Sequence, residues 1–173
     1  MINKNPKAII LVGVPGVGKT TLRLKEYSNW SHLSTDDFID IHAKSVGKTY
    51  SDVWSEYCNI AAIKFESKFR EITSNRENVI VDKTFMTRKS RARVVNRLKQ
   101  SGYSVKVIVL KEEFEVVKER LQIRGEKTGK LIPLQVVLTM LSHYQEPTSD
   151  ELWDTLIVIE SGKIVKNISK VES

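Results

Sequence analysis

The sequence predicts an α/β fold of three layers, in which helices cover both faces of a parallel sheet of about five strands. Short runs rich in β-branched residues alternate along the chain with longer segments whose apolar residues recur at helical spacing. Strands joined through helices make right-handed crossovers, which keeps them parallel. The 173 residues, 40% hydrophobic and 28% charged, suit a single domain over residues 1–173.

Each predicted strand is a short apolar run that ends at a polar residue or a turn. The first run lies between Pro6 and Gly13, and the third contains Val79, Ile80 and Val81. After the last run, residues 161–163 include a glycine that turns the chain back and predicts a C-terminal β-hairpin. The strands are predicted at residues 7–12, 32–35, 78–82, 104–110 and 155–160, with the second arm of the hairpin at 164–168.

The segments between these strands have the apolar periodicity of helices that pack on a sheet. The fourth of them turns Val94, Val95 and Leu98 inward, and Pro133 suits the first turn of the last. The helices are predicted at residues 19–29, 36–46, 49–73, 88–100, 112–124 and 133–144.

A glycine-rich loop between the first strand and the first helix fits the pattern G-x-x-x-x-G-K-[ST]. Its glycines allow the backbone N–H groups to point at phosphate oxygens, where the helix dipole also attracts an anion. Lys19 would bind the β- and γ-phosphates, and the Thr20 hydroxyl would bind Mg²⁺. The loop predicts a site for a nucleoside triphosphate and magnesium, formed by Gly13, Val14, Pro15, Gly16, Val17, Gly18, Lys19, Thr20 and Thr21.

Carboxylates follow the second and third strands, at the edge where ligands bind in such sheets. Asp36 and Asp37 come after the second strand. Asp82 ends the third strand, and Thr84 follows it. A carboxylate near the γ-phosphate can accept the proton of an attacking hydroxyl. Because Asp is also a favoured helix N-cap, the position of Asp36 fits a purely structural role equally well.

Arg120 and Arg124 lie four residues apart, hence on one face of the fifth helix. Residues 124–130 form a polar segment with two glycines, which suggests a mobile lid that brings guanidinium groups onto the transferring phosphate. A solvated helix end with cations near its C-terminus would have the same pattern.

A basic stripe on the fourth helix is formed by Lys89, Arg93 and Arg97, opposite its apolar face. With the net charge of +7, it could follow a nucleic-acid backbone or simply form a solvated face. No apolar run approaches the ~18 residues of a membrane span. We expect a cytoplasmic protein, and nothing in the sequence predicts a protein partner.

Together these motifs resemble the P-loop kinases of the bacteriophage polynucleotide 5′-kinase family, within a wider zeta-toxin-like group. The resemblance extends over residues 8–157. It implies a P-loop NTPase kinase fold with an arginine-bearing lid. The matching pieces lie at residues 13–20, 34–38, 79–84, 89–91, 120–125, 129–133 and 140–148.

The resemblance implies transfer of the γ-phosphate of ATP to the 5′-hydroxyl of a DNA or RNA strand. Asp36 matches the family's general base, and Arg124, with Arg120, its lid arginines. Acceptor-binding candidates are Asp37, Asp82, Thr84, Lys89 and Arg93.

The sequence departs from the family in two places: Ile39 replaces an arginine that binds the acceptor's phosphate, and Phe85 replaces an asparagine. Two other functions stay open, a small-molecule kinase acting on a nucleoside, nucleotide or nucleotide-sugar, and a nucleotide-dependent switch without a phosphoacceptor.

Overall fold

A computed structural model describes residues 3–170, and its centre is a six-stranded sheet in the order β2-β3-β1-β4-β5-β6. The strands are β1 (Lys7–Val12), β2 (Ser31–Leu33), β3 (Val79–Asp82), β4 (Ser104–Lys111), β5 (Thr155–Glu160) and β6 (Lys163–Ser169). The first five are parallel, and β6 is antiparallel to β5. This arrangement confirms the predicted parallel sheet and its C-terminal hairpin. Residues 1–2 and 171–173 of the predicted domain lie outside the described residues.

Six helices connect the strands within the described part of the chain: α1 (Lys19–Glu26), α2 (Thr35–Ser45), α3 (Tyr50–Asn75), α4 (Arg88–Gln100), α5 (Phe114–Thr128) and α6 (Leu134–Ser142). None of these helices is long and apolar enough to cross a membrane. Helix α5 ends at Thr128, four residues later than predicted. Gly125 does not end the helix. It is buried inside it, and a Cβ at this position would lie 2.8 Å from Cδ2 of Leu131. The glycine therefore permits close packing inside the helix.

The sheet is covered on both faces because side chains alternate along each strand. In β1, Ile10 and Val12 belong to one apolar cluster, while Ile9 and Leu11 belong to another. Helices α3 and α4 complete the first cluster with Phe65, Phe69, Ile72, Val94, Val95 and Leu98. Helices α5 and α6 complete the second with Val117, Leu121 and Val137. The result is the predicted three-layer fold.

Helix α2 and the first half of α3 form an antiparallel pair with an apolar cluster of its own, formed by Ile39, Ala43, Val53, Tyr57 and Ala61. Local caps fix where both helices begin. The Ser34 hydroxyl accepts a hydrogen bond from the Asp36 amide, and Thr49 forms a reciprocal capping box with Asp52 at the start of α3. These caps place Asp36 in the first turn of α2 and Tyr50 at the first position of α3.

Candidate active site

A cavity of about 1350 Å³ runs along the edge of the sheet where the parallel strands end. The glycine loop, with Thr20 and Thr21, forms one end of it. The start of α2 and the start of α3 form the other end, and side chains of α5 lie between them. The position agrees with the rule that parallel α/β sheets bind ligands beyond the carboxyl ends of their strands.

The glycine loop has the backbone shape of an anion cradle. Gly16 and Gly18 have φ of 84° and 108°, in the left-handed region that favours glycine. Helix α1 begins at Lys19 with no side-chain cap on its first turn. Its first N–H groups therefore have no intrahelical or side-chain acceptor, and they form the positive end of the helix dipole. These features fit a bound phosphate chain.

The Lys19 ammonium folds over the loop, where Nζ donates hydrogen bonds to the carbonyl oxygens of Gly13 at 2.8 Å and Val14 at 3.1 Å. Removal from water lowers the pKa of Lys19, although the charges of Asp82 and Asp36 oppose the shift. An anion that approached Lys19 would stabilise its charged ammonium group, because carbonyl oxygens alone compensate that charge weakly.

Asp36 is not the N-cap of α2, because Ser34 performs that role. The capping explanation is therefore wrong for Asp36, and its carboxylate is left to bind other groups. Lys130 Nζ donates to Oδ2 at 2.8 Å, and the Tyr50 hydroxyl donates to Oδ1 at 3.0 Å. Partial burial alone would raise the pKa of Asp36, but the Lys130 ammonium and these hydrogen bonds outweigh it and lower the pKa. Asp36 is thus an ionised hydrogen-bond acceptor at neutral pH.

His32 lies between the carboxylates of Asp37 and Asp82. Its Nδ1 is 2.6 Å from Oδ2 of Asp37, whereas Nε2 is 3.8 Å from Oδ2 of Asp82, beyond hydrogen-bond distance. Burial would lower the pKa of His32, but the two carboxylates outweigh it and raise the pKa. The histidine lies between two sheet-edge candidates, a position that no pattern in the sequence predicts.

The two arginines of α5 have different environments. Arg124 has buried Nε and Nη2 atoms for which residues 3–170 provide no hydrogen-bond acceptor. Arg120 forms an ion pair with Glu112 at 3.1 Å, and its Nη1 is 3.4 Å from the Gly16 carbonyl oxygen. Both side chains border the cavity. Arg124 is thus the one with donors available for an anionic ligand.

These residues fit an ATP–magnesium complex. The uncapped α1 amides, the glycine loop and the donors of Arg124 suit a triphosphate. No group of three or more histidine, cysteine or acidic side chains within residues 3–170 could hold a metal by itself. Mg²⁺ in such sites takes few protein ligands and several phosphate oxygens, and the Thr20 hydroxyl at the cavity edge would be one such protein ligand.

The structure separates the proposed acceptor-binding residues into two groups. Asp37, Asp82 and Thr84 line the cavity, but Lys89 and Arg93 on α4 do not. The Thr84 carbonyl oxygen accepts a hydrogen bond from the Gly13 amide at 3.0 Å, which ties the end of β3 to the glycine loop. The basic stripe is therefore not part of this cavity.

Both departures from the family pattern lie at buried positions. Ile39 packs in the apolar cluster between α2 and α3 and is 2% exposed, so this position does not face the cavity. Phe85 is buried with φ of 48°, a region that asparagine tolerates better, and buried Arg91 donates to its carbonyl oxygen at 3.1 Å.

The sequence suggested Lys44 and Lys48 as substitutes for the arginine missing at Ile39, but it assigned no site role to other residues that line the cavity, namely His32, Tyr50, Lys83 and Lys130. Lys130 is 94 residues from Asp36 along the chain, and Tyr50 is 14 residues away. No periodicity connects such positions. The available signal was that Lys83 and Lys130 each lie inside a segment that matches the family.

Comparison with known families matches residues 9–147 to AAA_33, described as an AAA domain. A structure of the PezAT toxin–antitoxin system of Streptococcus pneumoniae is 22% identical, with a TM-score of 0.73 over 95% of this chain and 72% of that chain. A putative kinase from Chloroflexus aurantiacus is 20% identical, with a TM-score of 0.69 over 92% and 87%.

A chain of the Pnkp1/Rnl/Hen1 RNA repair complex is 26% identical, with a TM-score of 0.64. The match covers 82% of this chain and 44% of that one. These similarities show a shared fold of the P-loop kinase type.

Proposed function

Since the chain belongs to the AAA_33 family of AAA domains, we propose that it is an ATP-dependent kinase whose acceptor is the 5′-hydroxyl of a DNA or RNA strand. The 26% identity to a chain of an RNA repair complex supports this choice of acceptor. Magnesium held by Thr20 would supply positive charge to the phosphate oxygens.

The observation that carries the proposal is the composition of the acceptor end of the cavity. The Asp36 carboxylate lies there with Lys44, Lys48 and Lys83. None of these three lysines forms an ion pair with a carboxylate of residues 3–170. Unpaired cations beside a general-base candidate suit a hydroxyl whose own molecule carries phosphates, as a 5′ end does. Lys44 and Lys48 also supply the positive charge that an arginine provides in the family.

The chain's own residues have separate tasks in the transfer. The α1 amides and Lys19 hold the β- and γ-phosphates, and Asp36 orients the acceptor hydroxyl. The hydroxyl oxygen bonds to the γ-phosphorus as the bond to the β,γ-bridging oxygen breaks, and the hydroxyl proton passes to Asp36. Arg124 donates to the phosphoryl oxygens. The products are a phosphate monoester and ADP.

The test is incubation with γ-labelled ATP, Mg²⁺ and a panel of 5′-hydroxyl DNA and RNA oligonucleotides, nucleosides, nucleotides and nucleotide-sugars. We expect label at oligonucleotide 5′ ends and a KM for them that rises steeply with salt. Label only on monomers, at a KM insensitive to salt, would replace the proposal with a small-molecule kinase. Label only in free phosphate would indicate a nucleotide-dependent switch.

The role of Asp36 is tested separately by Asp36→Asn. The amide retains the size of the side chain but cannot accept the proton, so we expect kcat to fall by about 10²–10⁴. ATP binding should stay close to wild type, since the loop that holds the phosphates is unchanged. Transfer at the wild-type rate would disprove the assignment.

A further inference from the structure

We infer that Tyr50 and Lys130 are positioning residues, which hold the Asp36 carboxylate in place as the hydrogen-bond acceptor for the incoming hydroxyl. This inference rests on the proposed function and deepens it, because it concerns how that one carboxylate is oriented. Neither residue is assigned to ATP binding.

The contacts enclose the carboxylate from two sides. Lys130 donates to one Asp36 oxygen at 2.8 Å, and Tyr50 donates to the other at 3.0 Å. The two partners also contact each other, since Lys130 Nζ lies 3.7 Å from the centroid of the Tyr50 ring. Lys130 is only 8% exposed, and its Nζ is 3.5 Å from Oδ2 of Asp40. A buried ammonium with these partners has little freedom to leave.

The backbone around Lys130 is fixed against the start of α3. Leu131 N donates to the Ser51 hydroxyl at 3.0 Å. Gly129 has φ of 68°, and a Cβ there would lie 2.5 Å from Cγ2 of Thr49, so this approach requires glycine. The segment that follows α5, predicted as part of a mobile lid, is thus packed against the acceptor end of the cavity. Lys130 connects the helix that carries Arg124 with the carboxylate that faces the acceptor.

Two hydrogen bonds leave room for a third, because an ionised carboxylate has about four lone-pair positions. The acceptor hydroxyl can donate to one of those that remain. Both oxygens are restrained, so the direction of that bond is set before the acceptor arrives, which lowers the barrier through orientation.

The same contacts set the protonation state of Asp36. The charged or titratable groups that face it are Lys19 on α1, Asp40 on α2, Tyr50 on α3, Lys83 after β3 and Lys130 after α5. Partial burial would raise the pKa of Asp36, and Lys130 has the largest effect in the opposite direction. The carboxylate form is the active one, so activity falls as pH drops through this pKa. Loss of Lys130 raises that pKa and moves the acidic limb of the pH profile to higher pH.

The experiment compares Lys130→Met, Lys130→Arg and Tyr50→Phe with wild type and with Lys127→Met, a control at an exposed lysine on α5. We expect Lys130→Met to lower kcat about tenfold or more at pH 6, with an unchanged KM for ATP and an acidic limb at higher pH. Lys130→Arg should restore part of the loss, and Tyr50→Phe should show a smaller shift in the same direction. A lower kcat with an unmoved acidic limb would overturn the inference.

A second readout does not depend on finding an acceptor. The ¹³C-carboxyl resonance of Asp36, assigned by its absence in Asp36→Asn, is titrated in wild type, Lys130→Met and Tyr50→Phe. A higher titration midpoint of Asp36 in both variants supports the inference. If the acceptor panel of the kinase assay nevertheless reveals no phosphorylated acceptor, only the proposed function fails. Unchanged midpoints overturn the inference whatever the kinase assay shows. If Lys130→Met does not fold, Tyr50→Phe decides both readouts.

Discussion

Arg124 has buried guanidinium nitrogens, Nε and Nη2, without a hydrogen-bond acceptor in the described part of the chain. A buried donor left unpaired destabilises a folded protein by about 1–3 kcal/mol. Such an arrangement persists where a ligand supplies the missing acceptors. Phosphate oxygens would do so here, since the side chain borders the cavity between the glycine loop and Asp36.

Arg124→Met should therefore affect activity and stability in opposite directions. We expect kcat to fall by about 10²–10³, the typical loss when one donor to a developing negative charge is removed. The free energy of unfolding without nucleotide should be unchanged or higher, because the unpaired buried donors are gone. Labelled-ATP transfer and urea denaturation measure the two effects.

Arg70→Met is the control for this prediction, because Arg70 is exposed on α3 and lies outside the cavity. It should leave both kcat and the free energy of unfolding close to wild type. A large loss of stability in Arg124→Met would mean that the guanidinium has a structural task in the free protein, contrary to the expectation above.

At the residue scale, a sequence pattern can bring residues together where the relevant contacts are local. Lys19 and Thr20 belong to one contiguous pattern, and both residues line one cavity. Tyr50 and Lys130 reach Asp36 from distant parts of the chain. Their contacts depend on how α2, α3 and α5 pack, which no single segment of sequence encodes.

At the element scale, the glycine loop depends on backbone geometry that other residues cannot adopt. Gly13 has φ of 148°, and a Cβ there would lie 2.8 Å from the Leu110 carbonyl oxygen and 2.9 Å from Cγ1 of Val17. Gly47 also has a positive φ, of 66°, but a Cβ there would meet no atom within 4 Å. Comparing alanine substitutions at Gly13 and Gly47 therefore distinguishes the effect of a positive φ alone from the effect of a positive φ together with a steric clash.

We expect Gly13→Ala to displace the loop from β4 and to lower the free energy of unfolding by about 1–3 kcal/mol. ATP should then stabilise the variant much less than wild type, because stabilisation by a ligand follows its affinity. Gly47→Ala should lower stability by about 1–2 kcal/mol, the cost of a left-handed backbone alone, and keep the response to ATP. Thermal denaturation with and without ATP–Mg²⁺ checks both, and equal effects of the two substitutions would contradict the steric argument.

Strands β1 and β5 and the C-terminal end of α5 show which element bounds could be predicted from the sequence. Strands β1 and β5 have the predicted bounds, because short β-branched runs between turn residues have few alternatives. Helix α5 was predicted to end at Arg124. It continues through Gly125 to Thr128, and Gly125 leaves room for the Leu131 side chain, whose Cδ2 lies 2.8 Å from where a Cβ would stand.

At the scale of the whole molecule, α3 belongs to two apolar clusters. Its first half packs with α2 through Val53, Tyr57 and Ala61, whereas its second half packs on the sheet through Phe65 and Phe69. The cluster with α2 is small and lies apart from the sheet core. Elements with few buried contacts open at a lower free energy than the core of a protein.

Hydrogen exchange should therefore divide α3 into two parts. In the free protein we expect amides of α2 and residues 50–61 to open at a free energy at least about 2 kcal/mol below that of β1, β4 and residues 65–75. This difference would make the α2–α3 pair, with Asp36 and Tyr50, the part of the cavity that a bound acceptor stabilises most.

ADP–Mg²⁺ with a 5′-hydroxyl oligonucleotide should slow exchange in the α2–α3 pair, and ADP–Mg²⁺ alone should slow it mainly around the glycine loop, since each ligand stabilises the residues it binds. Mass spectrometry of peptic fragments resolves these regions, and the β4 fragments serve as the internal reference. A single opening free energy along the whole of α3 would show that the helix unfolds as one unit with the sheet, and the acceptor end of the cavity would then be as rigid as the phosphate end.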